Sequence, residues 1–562
     1  MAREKSAAAK EMAAHTGEMS HRQILLVLVG LMSGMFLSAL DQSVVGSAMR
    51  TIADDLKGLE LQAWVTTMYL ITSTVTTPIY GKLGDIFGRR RLFIFAISIF
   101  LFGSLLCGFA ADMWQLAAFR AVQGLGAGGL FSLAITVLAD IVPPRERARY
   151  QGMFLGVFGT SSVLGPVIGG LFASAPQILW INGWRWVFLI NLPIGAIALF
   201  MVYTFLHVPH TPKKHRIDYW GAITIVMAVV PLLVVAENGQ GWGWGSASSI
   251  SMYVIGGVGI IAFIMAERAA KHEALLPLVL FKSTGFTMST ILGVIVGVGM
   301  FGGMMTLPLI LQIVDGATPT QSGFMMLPMV MGLMIATVIS GQYTRKTGKY
   351  RIFLSLGTGL FLIGYVYMIG YSASQPYWWV AIGMVVIGLG LGQLMQTLTL
   401  LSQGSVPASE VGVATSSATF FRQMGGTLGV AVFVSILFNS LGTNIGNAFK
   451  NPATIAGIKA AVTDPKVLAN PANQEILKAM QPGSGAAAGL GDKIKTDSSF
   501  LTHIDSRLAK PFLDGFAQSA STVFTWAAVV VAVGFVMSFF IKAPALRNTS
   551  ASAEASAAAA AH

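Results

Sequence analysis

Apolar runs of about twenty residues alternate with short polar turns from about residue 24 to residue 541. A helix needs about 20 apolar residues to cross a bilayer. A barrel strand needs only about ten, in strict alternation. The runs here are continuous and roughly twice as long as such strands, so helices are expected. Fourteen spans follow, at about 24–46, 61–81, 91–111, 115–140, 151–172, 185–206, 217–236, 249–267, 285–311, 320–341, 351–371, 377–402, 412–438 and 520–541. The fold class is therefore an all-α polytopic membrane protein, and an even number of spans puts both ends of the chain on one side.

Composition agrees. Of 562 residues, 54% are hydrophobic and only 11% charged, with a mean hydropathy of +0.69. Soluble domains carry about 25% charged residues. The net charge of +12 is not a nucleic-acid footprint, because the basic residues gather in alternate short turns. Lys82, Arg89, Arg90, Arg91, Arg145, Arg147, Arg149, Lys213, Lys214, Arg216, Arg268, Lys271, Lys282, Arg345, Lys346, Lys349 and Arg351 share one side with the tails. Opposite short turns hold little beyond Arg50 and Lys57. The positive-inside rule places both termini in the cytoplasm of a multi-pass plasma-membrane protein. Residues 1–22 show no cleaved-signal pattern, so the first span is expected to be the insertion signal. Cys107 is the single cysteine and forms no intrachain disulfide. No His/Cys cluster suggests a metal, and no G-x-x-x-x-G-K-[ST] sequence suggests ATP as the energy source.

The chain also repeats. The turn Gly-Lys-Leu-Gly-Asp-Ile-Phe-Gly-Arg-Arg-Arg at 81–91 is echoed at 341–351, with Gly81 and Gly341, and Gly88 and Gly348, each 260 apart. Gly124-Leu-Gly-Ala-Gly-Gly stands 19 residues before Pro143, and Gly388-Leu-Gly-Leu-Gly-Gln stands 19 before Pro407. Two six-span halves are expected, at 23–207 and 284–541, with two further spans inserted at 208–283. Tails at 1–22 and 542–562 flank them, the second Ala/Ser-rich and expected to be disordered. Related halves place a substrate site at their interface, near the bilayer midplane.

Several polar residues interrupt the apolar spans. Asp41 lies in span one, where a carboxylate costs about 2.5–3.5 kcal/mol on insertion scales. Removal from water favours the neutral form of a carboxylic acid, which suits such a residue to carrying a proton. Its place toward the outer end of the span equally fits a solvated structural acid. Arg120, followed by Gln123, lies in span four and must face protein or water; Asp41 is a candidate partner. Gly124, Gly126 and Gly129 satisfy G-x-G-x-x-G, but a dinucleotide site needs a preceding strand. Gly165, Pro166, Gly169 and Gly170 in span five favour close helix approach. Gln393, Gln396 and Arg422 fit a substrate path or interhelical hydrogen bonds equally. Glu237 and Asp315 sit near outer span ends, where most acids are solvated. Trp64 and Tyr69 read as an aromatic belt or a cation-accepting wall. Met300 to Met334 include eight methionines, read as lipid-facing filler or an adaptable surface. The loop at 439–519 reads either as a small extracytoplasmic helical subdomain, open to a partner, or as mostly disordered.

These motifs together resemble the major facilitator superfamily, and more narrowly the fourteen-span drug:proton antiporters of the QacA/EmrB type. The resemblance covers about residues 24–541. It implies a 6+2+6 helix arrangement and export of lipophilic, often cationic, small molecules, exchanged for protons. The energy source is then the proton gradient, with no cofactor and no enzymatic activity, in a monomer contacting lipids. It implies that the turn of Gly81, Asp85, Gly88, Arg89 and Arg90 governs conformational switching. Ile86 departs from the usual basic residue there. It implies proton coupling at Asp41 and Arg120, and an antiporter motif at Gly165, Pro166, Gly169 and Gly170. A dedicated exporter of a metabolite, amino acid or lipid shares every motif; a non-transporting scaffold is the remaining alternative.

Overall fold

A computed structural model describes residues 21–57, 61–206, 218–270, 273–407, 410–479, 501 and 504–546. The expected tails and the basic residues Lys213, Lys214 and Arg216 lie largely or wholly outside the described residues. Fourteen long helices follow: α1 His21–Asp55, α2 Gln62–Phe87, α3 Arg89–Gly108, α4 Met113–Ile141, α5 Pro144–Ser174, α6 Asn191–Phe205, α7 Tyr219–Trp242 and α8 Ala247–Ala270. The rest are α9 Thr284–Ile313, α10 Leu327–Thr347, α11 Ile352–Ile369, α12 Tyr377–Gly404, α13 Val411–Phe449 and α14 Ser506–Phe540. Thirteen helical segments among the described residues are long and apolar enough to cross a membrane. The exception, α2, carries six threonines. Some of its hydroxyls bond within the helix: Thr72 donates to the Met68 carbonyl at 2.8 Å and Thr76 to that of Thr72 at 2.7 Å.

The two halves pack alike. In the first, α4 lies against α2 and α3, and α1 against α5 and α6; in the second, α12 lies against α10 and α11, and α9 against α13 and α14. Alternate glycines of α4 make this possible. Gly124 and Gly128 meet the α2 backbone at Tyr69 and Ser73, while Gly126 meets α3 at Ala96 and Phe100. Each has its counterpart 264 residues on. Gly388 and Gly392 meet α10 at Met329 and Leu333, and Gly390 meets α11 at Phe361. Both copies of the turn need a glycine at a positive φ, Gly88 at +89° and Gly348 at +70°, a region that other residues rarely adopt, although ψ differs, 140° against −3°. Between the halves, α2 packs on α13 and α5 on α10, the same pairing applied twice. The inserted α7 and α8 pack on each other, and α7 rests against both α2 and α13.

Two expected boundaries change. Spans thirteen and fourteen continue beyond their apolar runs, α13 to Phe449 and α14 from Ser506. Much of the loop at 439–519 is therefore helix. Three short helices lie between, Pro452–Val462, Pro465–Ala469 and Pro471–Ala479. Each starts with proline after Asn451, Asp464 or Asn470, whose side chains accept backbone N–H bonds of the first turn. Ala461, Val467 and Leu508 form their small core. Arg507 joins Asp464 and Asp505, each at 2.9 Å, and holds both carboxyls below the usual carboxylate range. That stabilisation is complete at neutral pH and fades only as pH falls below about 4.

The glycine seams predict a contrast. A Cβ on Gly126 lies 2.5 Å from the Ala96 carbonyl oxygen and the Phe100 nitrogen, whereas one on Gly257 meets nothing within 4 Å. Gly126→Ala should destabilise the detergent-purified protein by about 1–3 kcal/mol, and Gly257→Ala should be neutral or slightly stabilising. Thermal unfolding of the two variants measures both, and equal shifts would contradict the packing.

Candidate functional site

Asp41 is fully buried, so the reading of a solvated acid is corrected. Its carboxylate accepts from three side chains on two other helices. Arg120 Nη1 of α4 donates to Oδ2 at 2.5 Å, Gln123 Nε2 to Oδ1 at 2.9 Å, and Asn191 Nδ2 of α6 to Oδ1 at 2.7 Å. Arg120 Nη1 also donates to Gln123 Oε1 at 2.8 Å, since three residues along a helix share a face. The guanidinium lies 4.0 Å above the Tyr69 ring, and the Tyr69 hydroxyl hydrogen-bonds with Ser38 at 2.9 Å. Tyr69 thus seats an internal cation and is no interfacial belt residue. Asn191 donates further to Ser104 Oγ at 2.9 Å.

The cluster is closed but not saturated. Arg120 Nε and Asn191 Oδ1 have no hydrogen-bond partner. Such groups are expensive where they are and mark a network with capacity to rearrange. Sequence reasoning found Asp41, Arg120, Gln123 and Tyr69, but missed Asn191, Ser104 and Ser38. Asn191 opens α6 two residues before Pro193, and a polar residue beside a helix-starting proline looks like ordinary capping. The glycines of span five serve this geometry: Gly165 and Gly169 let α5 press on Ser43, Val44 and Ser47, next to Asp41 on α1. Gly170 faces Thr320, and Pro166 interrupts α5.

A second polar centre lies at the 81–91 turn. Arg89 bonds Asp85, donates Nε to Asp140 Oδ2 at 3.0 Å and Nη1 to the Gly81 carbonyl at 3.1 Å. Arg89 begins a helix while Asp85 and Asp140 end theirs, so all three charges oppose the local helix dipoles. Their mutual pairing offsets that. The first residues of α13 close over them: a Cβ on Gly412 would lie 2.7 Å from Asp85 Oδ1, and one on Gly81 would overlap Ser416. Nearby, buried Arg147 donates to the α4 carbonyls of Ala139 and Val142 and, across the halves, to Gln403 Oε1 at 2.5 Å. Gln403 passes the contact to Thr415 at 3.0 Å. Arg90 turns away, donating to the Tyr203 carbonyl at 2.5 Å. At the echoed turn, Arg345 is exposed.

Other expected residues stand apart from these centres. Trp64 pairs with Trp114 at 6.3 Å. Gln393 and Gln396 are buried in α12, each with an unpartnered Oε1. Gln423 Oε1 accepts from Thr77 at 3.1 Å, bridging α13 to α2. Asp315 lies exposed just past α9, where partial desolvation raises its carboxyl above the ordinary value. Glu237 falls in α7, with its side chain outside what the structure describes. Of the eight methionines, Met326 and Met329 are buried whereas Met331 and Met334 are exposed.

Comparison with known proteins concerns the chain as a whole. The sequence model of the Major Facilitator Superfamily matches residues 31–430. The multidrug transporter protein MdtP of Bacillus subtilis is 33% identical over 544 residues, 95% of this chain and 96% of its own length. Multidrug resistance protein 3 of the same organism is 32% identical, covering 93% and 96%. Efflux pump FUS6 of Gibberella fujikuroi is 29% identical, covering 93% and 90%. Among solved structures, the proton:xylose symporter XylE shares the fold with a TM-score of 0.56 at 12% identity, covering 96% of this chain and 99% of its own.

The turn predicts a separation of effects. Asp85→Asn should lower turnover about tenfold or more, from loss of one charged hydrogen bond, while leaving equilibrium binding of a transported dye intact. Efflux rate and dye polarisation on the same preparation check it. Equal loss of both would reduce the turn to a folding element.

Proposed function

This chain belongs to the major facilitator superfamily, and we propose that it is a proton-coupled exporter of lipophilic, often cationic, compounds, working by alternating access. It is a multi-pass membrane transporter, not an enzyme. The observation that carries the proton reading is the enclosed Asp41 carboxylate, held by Arg120, Gln123 and Asn191. Protonation of Asp41 removes the charge that these donors serve. Arg120 then keeps only the Tyr69 face and Gln123, and the contacts among α1, α4 and α6 loosen. Deprotonation restores them. A proton and a substrate thus compete through one set of helices.

The distribution of Lys and Arg supports cytoplasmic termini, which puts the 81–91 turn on the cytoplasmic side and the helices at 452–479 outside. The Arg147–Gln403 contact and the closure of α13 over Asp85 then belong to a shut cytoplasmic gate. The names of the bacterial relatives support drug-like substrates. We take the working unit to be a monomer of two six-helix halves with α7 and α8 inserted, and lipids as its surroundings.

The test is reconstitution in proteoliposomes with an imposed pH gradient and a cationic dye. Export should collapse when the gradient is dissipated. Asp41→Asn should remove gradient-driven export, by about a hundredfold if coupling is lost, while dye binding persists. Normal export by Asp41→Asn would refute the assignment of the proton site.

A further inference from the structure

We propose that the second half contains an anion site, centred on Arg422 and built to hold one carboxylate or a halide ion. Arg422 lies in α13, half-buried, and lines a narrow cavity of about 10 Å³ between α9, α12 and α13, room for about one water-sized occupant. Ser289, Thr399, Ser402, Thr415 and Thr419 supply its polar wall. No carboxylate faces Arg422 among the described residues, and its side chain has no hydrogen-bond or ion-pair partner there. This contrasts with Arg120, whose charge Asp41 balances at 2.5 Å.

A guanidinium inside a membrane helix is retained only where something answers its charge. Water entering the cavity satisfies N–H donors but leaves the charge uncompensated. The described residues supply no counter-charge at this place, so the occupant brings it. The wall suits a small anion. Its hydroxyls now donate to carbonyls: Ser289 to Phe286 at 2.8 Å, Thr399 to Met395 at 2.9 Å, Thr419 to Thr415 at 2.8 Å. These back-bonds are weak and exchangeable, so a hydroxyl can rotate to donate to an anion beside Arg422. The cavity is too small for a whole drug-sized molecule, which points to a single charged group. It is also placed to matter. Thr415, in its wall, accepts from Gln403, which accepts from Arg147 of the other half. The neighbouring Gln423 accepts from Thr77. An anion here sits against both bridges between the halves.

The site does not depend on the direction or energy source of transport, so its test begins with binding. Thermal unfolding of the full-length protein in detergent is followed while sodium chloride or sodium acetate is raised. The wild type should show a saturable rise in melting temperature, above the general salt effect. Arg422→Gln should lose that component, with at least about tenfold weaker apparent affinity. Arg422→Lys should retain a weakened form, and Thr419→Val should weaken it without touching the charge. Coincident curves for wild type and Arg422→Gln would overturn the proposal. If Arg422→Gln fails to fold, Arg422→Lys and Thr419→Val decide, and unchanged affinity in both overturns it. Transport then identifies the occupant. Selective loss by Arg422→Gln of a carboxylate-bearing lipophilic dye, with a cationic dye retained, assigns the site to the substrate's acid group. Loss of chloride dependence with both dyes retained assigns it to the inorganic anion.

Discussion

The first half depends on one buried ion pair. Asp41 and Arg120 are both essentially inaccessible, and either alone would be intolerable where it lies. Breaking such a pair by removing one partner costs about 3–5 kcal/mol, because a buried charge is left uncompensated. The pair therefore dictates what surrounds it. Gln123 must sit one turn below Arg120, Asn191 must open α6 at the carboxylate, and Tyr69 must offer its ring from α2. The glycines of α4 follow from this: α2 cannot bring Tyr69 under Arg120 unless Gly124 admits its backbone. A buried ion pair is a weak device for stability alone. It is a good device for two states, since adding one proton changes its balance more than any apolar contact could.

The halves share a backbone plan but not this chemistry. At the α4 to α12 offset of 264, Arg120 corresponds to Met384 and Gln123 to Ile387, both buried in an apolar core. At the turn offset of 260, Asp85 corresponds to Arg345. The first half keeps the carboxylates that hold charges against unfavourable helix dipoles; the second presents an exposed cation. Duplication preserved what backbone packing requires, namely the packing glycines and a positive-φ glycine at each turn. It left polar residues free to diverge, so the Asp41–Arg120 pair and the Asp85–Arg89 pair belong to one half and Arg422 to the other.

This division explains what was legible from sequence. Span number and the repeat could be read because they rest on local composition and on glycines with one physical use. The Asp41–Arg120 pairing could be inferred because two charges in apolar spans need each other. Asn191 could not, since its role is set by a contact 150 residues away. Nor could Arg147, which looked like one more orienting charge and proves to bridge to Gln403, 256 residues distant. The ends of α13 and α14 were missed because the extensions are not apolar enough to span. They are helical because they pack on each other and on the short helices at 452–479: Gly515 meets Ile445, and Asn444 donates to Ser519 at 2.9 Å.

The inserted pair follows from the same constraint. Helix α7 rests on both α2 and α13, across the seam that must shear if the halves rock. It cannot stay packed on both through such a motion, so it must travel with one. Its base is braced mainly within the inserted segment. Asp218 accepts the Gly221 and Leu275 N–H groups at 2.7 and 3.2 Å, and Glu267 accepts that of Leu276 at 3.0 Å. Buried Lys82, from the 81–91 turn, faces Glu267 electrostatically. Apolar side chains meet α7 on both sides, Ile71 and Val75 from α2 and Phe420, Phe421 and Met424 from α13. The charge of Lys82 beside Glu267 is what sets the α2 side apart from the α13 side. Helix α13 is also the element that covers Asp85, bridges to Thr77 and carries Arg422.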